Sequence, residues 1–324
     1  MGKPISKSAA TRYLQTEGKS SNKIGESLSI FKLPDGRDFE YISNTVNGKA
    51  SQVKSDLAIL MQHGTPGSCM YFKEWFKGSF SESLDVQLIA TSRAGYGNSS
   101  RNAGRKVADD LLDQAALLDY LEIKSFVAIG HSGGGPHAIN MTRDARCKGA
   151  ITLAGVGEFG HSDLNFLEGM GPENEDEFGE AMKGEAAITK WMNQNATGFQ
   201  KISGADVIVA FGGLIGEADK AALTAEFAEE IAYGMRYGIE KSFYGWIDDD
   251  LAFVQKFGFD LAKIDKPVLL WQGDDDFMVP KAHGEWLSKK IATSKLNFVP
   301  GHGHLSLIKS YRDEILKAAL ALLD

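Results

Sequence analysis

The sequence predicts an α/β fold, a mostly parallel and doubly wound sheet with an inserted, mainly helical cap. Short apolar runs alternate with amphipathic segments along most of the 324 residues, the order expected when helices cover both faces of a parallel sheet. One long internal stretch breaks that alternation and carries a different charge.

Residues 28–33 and 37–43 flank Pro34-Asp35-Gly36, a turn sequence between two half-buried strands, and so predict an antiparallel hairpin. The runs 57–62, 86–91, 126–130 and 150–154 are apolar enough to be buried strands. In a parallel sheet the carboxyl ends of such strands are where ligands bind. Between the second and third of these runs, Val107, Leu111, Leu112, Ala115, Leu118 and Leu121 recur at helical spacing, with Asp109, Asp110 and Asp113 among the expected outward positions. The strand pattern returns at 268–272 and 296–299, and a last amphipathic helix runs from about residue 305 to the end.

The interruption at 156–265 holds 8 Lys/Arg against 21 Asp/Glu, whereas the remainder holds 27 against 22. Phe227, Ile231 and Met235 keep helical spacing there, and Gly212-Gly213 and Gly245 break it. The expected organisation is a flexible N-terminal tail at 1–25, a first core segment at 26–155, a helical cap at 156–265 and a second core segment at 266–324.

A net charge of −8 argues against a nucleic-acid partner, because binders of the phosphate backbone present a basic face. Two cysteines, Cys69 and Cys147, are too few for a disulfide framework and lack metal-ligand spacing, which fits a reducing compartment. The first 25 residues show no apolar signal core, and no run of 18 apolar residues occurs anywhere, so export and a membrane span are not expected. Met1-Gly2-Lys3-Pro4-Ile5-Ser6 matches the N-myristoylation pattern, and Asn140-Met141-Thr142 and Asn195-Ala196-Thr197 match the glycosylation pattern. These patterns fix too few positions to be read as sites. The expectation is a cytoplasmic protein acting on a small molecule, with its oligomeric state left open.

The chemistry begins where the strand at 126–130 runs into Gly130-His131-Ser132-Gly133-Gly134 and a helix pattern follows. Strand, Gly-x-Ser-x-Gly and helix together form the context in which a serine sits at the tip of a sharp, strained turn. Glycines two before and two after it avoid collision, and the following helix points its free N–H groups at the reacting oxygen.

The sequence resembles the α/β-hydrolase family over nearly all of 28–323 outside the cap. Besides the serine turn, three further segments carry the resemblance. His63-Gly64-Thr65-Pro66-Gly67 resembles the oxyanion loop, which implies that the Thr65 amide joins that of Gly133 in holding an oxyanion, with His63 fixing the loop. Gly273-Asp274-Asp275-Asp276-Phe277-Met278-Val279-Pro280 resembles the acid loop, and its register selects Asp276 over Asp274 and Asp275. Gly301-His302-Gly303-His304 resembles the base loop and selects His304 over His302. A fifth segment, Ser92 to Ser99, resembles the family's Asp-x-Arg-Gly-x-Gly-x-Ser loop imperfectly: the aspartate is missing and Ala94 is inserted after Arg93.

The resemblance implies a Ser132–His304–Asp276 triad that forms an acyl-enzyme and needs neither organic cofactor nor metal. A serine at the nucleophile position sets the chain apart from relatives that use aspartate there. A carboxylic ester of a small or medium apolar compound is the expected substrate, with Met170, Phe178, Trp191, Phe211, Tyr244 and Trp246 as pocket or core residues. Three alternatives stay open. One is an aminopeptidase resembling the proline iminopeptidase branch, for which Glu173, Glu175, Asp176, Glu177 and Asp248 to Asp250 supply acidic groups. Another is carbon–carbon bond hydrolysis or haloperoxidase-like chemistry, and the last is a non-hydrolytic receptor that holds a small molecule under a moving cap.

Overall fold

A computed structural model of the chain describes residues 27–44, 55–77, 81 and 84–324. The expected tail at 1–25 and the myristoylation pattern lie outside these residues. Eight strands form one sheet in the order β1-β2-β4-β3-β5-β6-β7-β8. They are β1 (Ser27–Lys32), β2 (Asp38–Ser43), β3 (Leu57–Gln62), β4 (Gln87–Ser92), β5 (Ser125–His131), β6 (Cys147–Leu153), β7 (Val268–Gly273) and β8 (Ser294–Val299). The β1–β2 hairpin and the β2–β4 pair are antiparallel, and every pair from β4 to β8 is parallel.

Successive strand residues point to opposite faces, and each face meets its own helices. Ala58, Leu60, Phe126 and Ala128 pack with Leu117 and Leu118 of α1 (Asp110–Tyr120) and Met141 of α2 (Gly134–Met141). Ile59, Met61, Val127 and Ile129 pack on the other face with a 3-10 segment at Cys69–Phe76 and with α10 (His304–Leu323). Beside them, α9 (Lys281–Lys290) covers Val268 and Leu270 with Trp286 and Leu287.

Between β6 and β7 the described elements are all helical. They include α3 (Pro172–Ala181), α4 (Glu185–Asn195), α5 (Val207–Phe211), α6 (Glu217–Ala222), α7 (Ala225–Ile239) and α8 (Tyr244–Phe253). This is the cap that the loss of strand patterning predicts. Helix α7 lays Phe227, Ile231 and Met235 against Tyr71, Phe72 and Trp75, and Ser68 Oγ donates to the Gly234 carbonyl at 2.7 Å. Among the described residues no helix is long and apolar enough to cross a membrane.

One expectation about α1 is corrected. Leu112 is exposed, while Asp110 and Asp113 are buried. Arg37 from the hairpin reaches Asp113 with two hydrogen bonds of 2.8 and 2.6 Å, and Asp110 faces His137 at 3.3 Å. A cation from another element turns an apparent solvent face inward, and helical periodicity alone does not reveal it.

Candidate active site

Strand β5 ends at His131 and α2 begins at Gly134, which leaves a two-residue turn for Ser132. Its φ of 55° is in the left-handed region, at a cost of about 1–3 kcal/mol for a residue with a side chain. Backbone bonds hold the strain: Ser132 N–H donates to the Leu153 carbonyl and Gly135 N–H to that of Ser132, both at 2.8 Å. The flanking glycines are sterically required. A Cβ on Gly130 would strike the Gly134 carbonyl oxygen and the Ala138 methyl, and one on Gly134 would strike the Gln62 carbonyl oxygen.

Above this turn lies a cavity of about 490 Å³, lined by Ser132, Gly133, Thr65 and His304 on the sheet side. The cap side is mostly apolar. Met170, Phe178, Trp191, Phe211 and Trp246, for which the sequence leaves pocket and core packing both open, line it, but Tyr244 does not: it is half exposed and stacks on Arg101.

His304 is pinned at three points. Its Nδ1–H donates to Asp276 Oδ2 at 2.8 Å, its main-chain N–H donates to Asp219 Oδ2 at 2.9 Å, and its carbonyl accepts from His131 Nε2–H at 3.2 Å. Burial holds the His131 imidazole well below its usual pKa, with the nearby His304 adding to the effect. A neutral His131 that donates from Nε2 accepts at Nδ1, and the Tyr71 hydroxyl supplies that donor at 3.0 Å. Burial also favours the neutral form of His304, but the Asp276 carboxylate outweighs it, and the net shift is upward. With Nδ1 committed to Asp276, the lone pair of neutral His304 is on Nε2. Among the described residues no hydrogen bond joins Ser132 to His304; the two share the cavity wall.

The three adjacent aspartates go to three different partners. Asp274 accepts from Gly301 N–H at 2.7 Å, Asp275 from Ala218 N–H at 2.8 Å, and Asp276 from His304. The second oxygen of Asp276 accepts the Met278 and Val279 amides at 3.0 and 2.8 Å, which fixes the carboxylate plane. His302 does not line the cavity; it packs edge-on against Tyr311.

Thr65 and Gly133 lie side by side, so close that a Cβ on Gly133 would collide with Thr65 Oγ1. Among the described residues neither main-chain N–H has an acceptor, and both residues line the cavity. A buried network holds the Thr65 loop. Arg93 donates to the carbonyls of His63 and Gly64, and Arg93, Tyr96 and Thr65 Oγ1 all donate to Asp249 Oδ2. Arg105 donates to the other oxygen at 2.6 Å. His63 fixes the loop from within, with Nδ1 on the Gly64 carbonyl at 2.7 Å and Nε2 accepting Arg93 N–H at 3.1 Å.

The family described as Alpha/beta hydrolase family matches over residues 59–318. The chain belongs to that family. This alpha/beta hydrolase is 33% identical over 105 residues to the uncharacterized hydrolase YcgS of Bacillus subtilis. The match covers 32% of this chain and 33% of that protein, so it spans only about a third of that relative's length. Solved structures match far more of the fold. An alpha/beta hydrolase fold protein from Chitinophaga pinensis gives a TM-score of 0.65 at 16% identity, covering 92% of this chain and 97% of that one. A thermophilic esterase from Thermogutta terrifontis gives 0.64 at 17%, covering 92% and 100%. A bromoperoxidase from Bacillus anthracis gives 0.65 at 21%, covering 92% and 99%. At such identities the likeness is one of fold.

Sequence reasoning about this alpha/beta hydrolase does not find Asp219 or the pairing of Arg93 with Asp249. The aspartate missing from the Ser92 loop is no loss to Arg93, because a carboxylate 156 positions away reaches its guanidinium. Asp219 carries no motif, and its only signal is a carboxylate near the start of a short helix. Among the described residues no group of three or more His, Cys, Asp or Glu is arranged to hold a metal ion.

Proposed function

We propose that the chain is a serine hydrolase that cleaves carboxylic esters of small or medium apolar compounds through an acyl-enzyme on Ser132. One observation carries the reading: a single cavity wall presents a strained serine, an imidazole bound to a carboxylate through Nδ1, and two backbone N–H groups without an acceptor among the described residues. His304 Nε2 takes the Ser132 proton as the hydroxyl oxygen bonds to the acyl carbon. Asp276 keeps the useful tautomer and stabilises the imidazolium. Thr65 and Gly133 amides hold the oxyanion, and the alkoxide leaves with the proton from His304. Water then attacks the acyl-enzyme through the same base, returning Ser132 and releasing the acid.

The mainly apolar cap, which we place at 156–265, closes a cavity that suits a compact hydrocarbon body. Family membership supports hydrolase chemistry, and esterases occur among proteins of like fold. The test is labelling by a fluorophosphonate together with turnover of short and long acyl esters. Ser132→Ala should abolish both; labelling at another residue, with turnover intact in the variant, would overturn the assignment.

A further inference from the structure

The cap side of the cavity holds an acid that the proposed ester chemistry does not use. Asp250 on α8 is completely buried, it lines the cavity, and among the described residues neither of its carboxyl oxygens accepts a hydrogen bond. Its neighbour is Glu177 on α3, which is partly exposed and lines the same wall. Trp246 Nε1 donates to Glu177 Oε1 at 2.6 Å. The cations that reach the two preceding aspartates are committed there: Arg101 to Asp248 and Glu185, and Arg105 to Asp249. Among the described residues no Lys or Arg lines the cavity, whereas Glu173, Asp176, Glu177 and Asp250 all do.

Two adjacent carboxyls under such cover cannot both ionise without a cation, so one keeps a proton. Asp250, the more deeply buried, is the member that keeps it, and its O–H has Glu177 as acceptor. Glu177 is then oriented by two donors, Trp246 and Asp250, with lone pairs left toward the cavity. Resting on the serine-hydrolase reading, we propose that Glu177, conditioned by Asp250, is a recognition point for a hydrogen-bond donor, hydroxyl or ammonium, on an otherwise apolar substrate.

The fold sets the distance. Phe253 lies three positions after Asp250 on the same helix, and its ring would meet a Cβ on Gly133 at 3.0 Å. The Asp250 backbone therefore sits about one helical turn, roughly 5 Å along the axis, from that of Phe253, whose ring packs on the oxyanion position. A rigid six-membered ring spans about that length between its acyl carbon and a substituent at position 4. The groups that bear on the titration are known. Burial, then the neighbouring Asp176, pushes Glu177 up to about 7, while Trp246 and Asp250 oppose the rise by hydrogen bonding. Asp250 is pushed up by burial, then by Glu177 and Asp249. As pH falls through about 7, Glu177 takes a proton and loses its ionic acceptor.

The experiment compares phenyl esters of cyclohexanecarboxylic acid that carry a trans-4 methyl, hydroxyl or ammonium group. Ratios of kcat/KM cancel the titration of His304. The hydroxyl ester, the ammonium ester or both should exceed the methyl ester about tenfold at pH 8, the worth of one hydrogen bond, with the advantage shrinking below pH 7. Comparing the two donors identifies which source the site takes. Glu177→Gln should bring the ratio near one, and Asp250→Ala, which removes the donor that opposes the rise of Glu177, should move its pH dependence to higher pH. Equal or better use of the methyl ester by wild type overturns the proposal, as does a ratio indifferent to Glu177→Gln. If no ester is turned over, the serine-hydrolase reading fails, and calorimetry on Ser132→Ala judges the pair separately. Tighter binding of a donor-bearing ester than of the methyl ester supports it, and the absence of that difference overturns it.

Discussion

Asp219 accepts the main-chain N–H of His304 at 2.9 Å, so a carboxylate from the cap holds the proposed base from behind. The other oxygen takes the Leu305 and Ser306 amides at 2.9 and 2.8 Å, which caps the first turn of α10. Asp219→Ala should lower stability by about 1–2 kcal/mol, the usual cost of losing a cap, measured as a shift in the urea midpoint. Asp219→Asn should keep part of the cap and remove the charge. Because that charge helps raise His304, the pH midpoint of kcat/KM should fall; an unchanged midpoint would show that Asp219 acts only as a cap.

The base must be neutral to accept the serine proton. His304 lies above its ordinary value of 6.5, because Asp276 outweighs the opposing effect of burial. Activity should therefore rise with pH through a midpoint above 6.5 and vanish on the acid side. His304→Ala should cost several orders of magnitude in kcat, and His302→Ala little. A steep loss in the His302 variant would reverse the assignment of the base.

Asp276→Asn should lower kcat steeply by favouring the wrong imidazole tautomer. Asp274→Asn and Asp275→Asn each disturb one bond to a main-chain N–H, at Gly301 and Ala218, so most activity should remain and stability should drop by about 1 kcal/mol or less. Steady-state kinetics of the three variants decide the register.

Asp249 lies between Arg93 and Arg105 with no solvent exposure. Burial raises its carboxyl, yet the two guanidiniums overcome this and hold it well below the usual carboxylate range. A depressed acid stabilises the fold above its unfolded pKa, and that contribution is lost as pH falls toward the folded value. Asp249→Asn leaves buried cations uncompensated and should cost about 3–5 kcal/mol. Urea titrations at pH 7 should show the loss, and the gap to wild type should narrow in acid. Freed from Asp249, Thr65 should also support slower fluorophosphonate labelling.

Gly133→Ala sets a Cβ against Thr65 Oγ1 and the Phe253 ring. Either the loop or the ring must move, and two amides positioned for one oxygen cannot tolerate that shift. The expected loss is about a hundredfold or more in kcat, with little change in the urea midpoint. Activity near wild type would remove Gly133 from the oxyanion role.

The eight strands and the serine turn were legible in the sequence because each rests on short-range constraints. Apolar runs mark buried strands, and the left-handed φ of Ser132 demands glycines two residues to either side. The pairing of His304 with Asp276 was implied by the resemblance of their loops to the family's acid and base loops, and each loop follows its own strand of a parallel pair, β8 and β7. Only the tertiary structure decided the rest. Asp249 meets Arg93 across 156 positions and Asp219 meets His304 across 85, and neither carboxylate differs locally from a solvated one. Asp110 and Asp113 looked like an outward face for the same reason. Whether a charge is solvated, paired or left with a proton depends on which distant groups the fold brings to it, and the low dielectric of the interior makes that partner decisive.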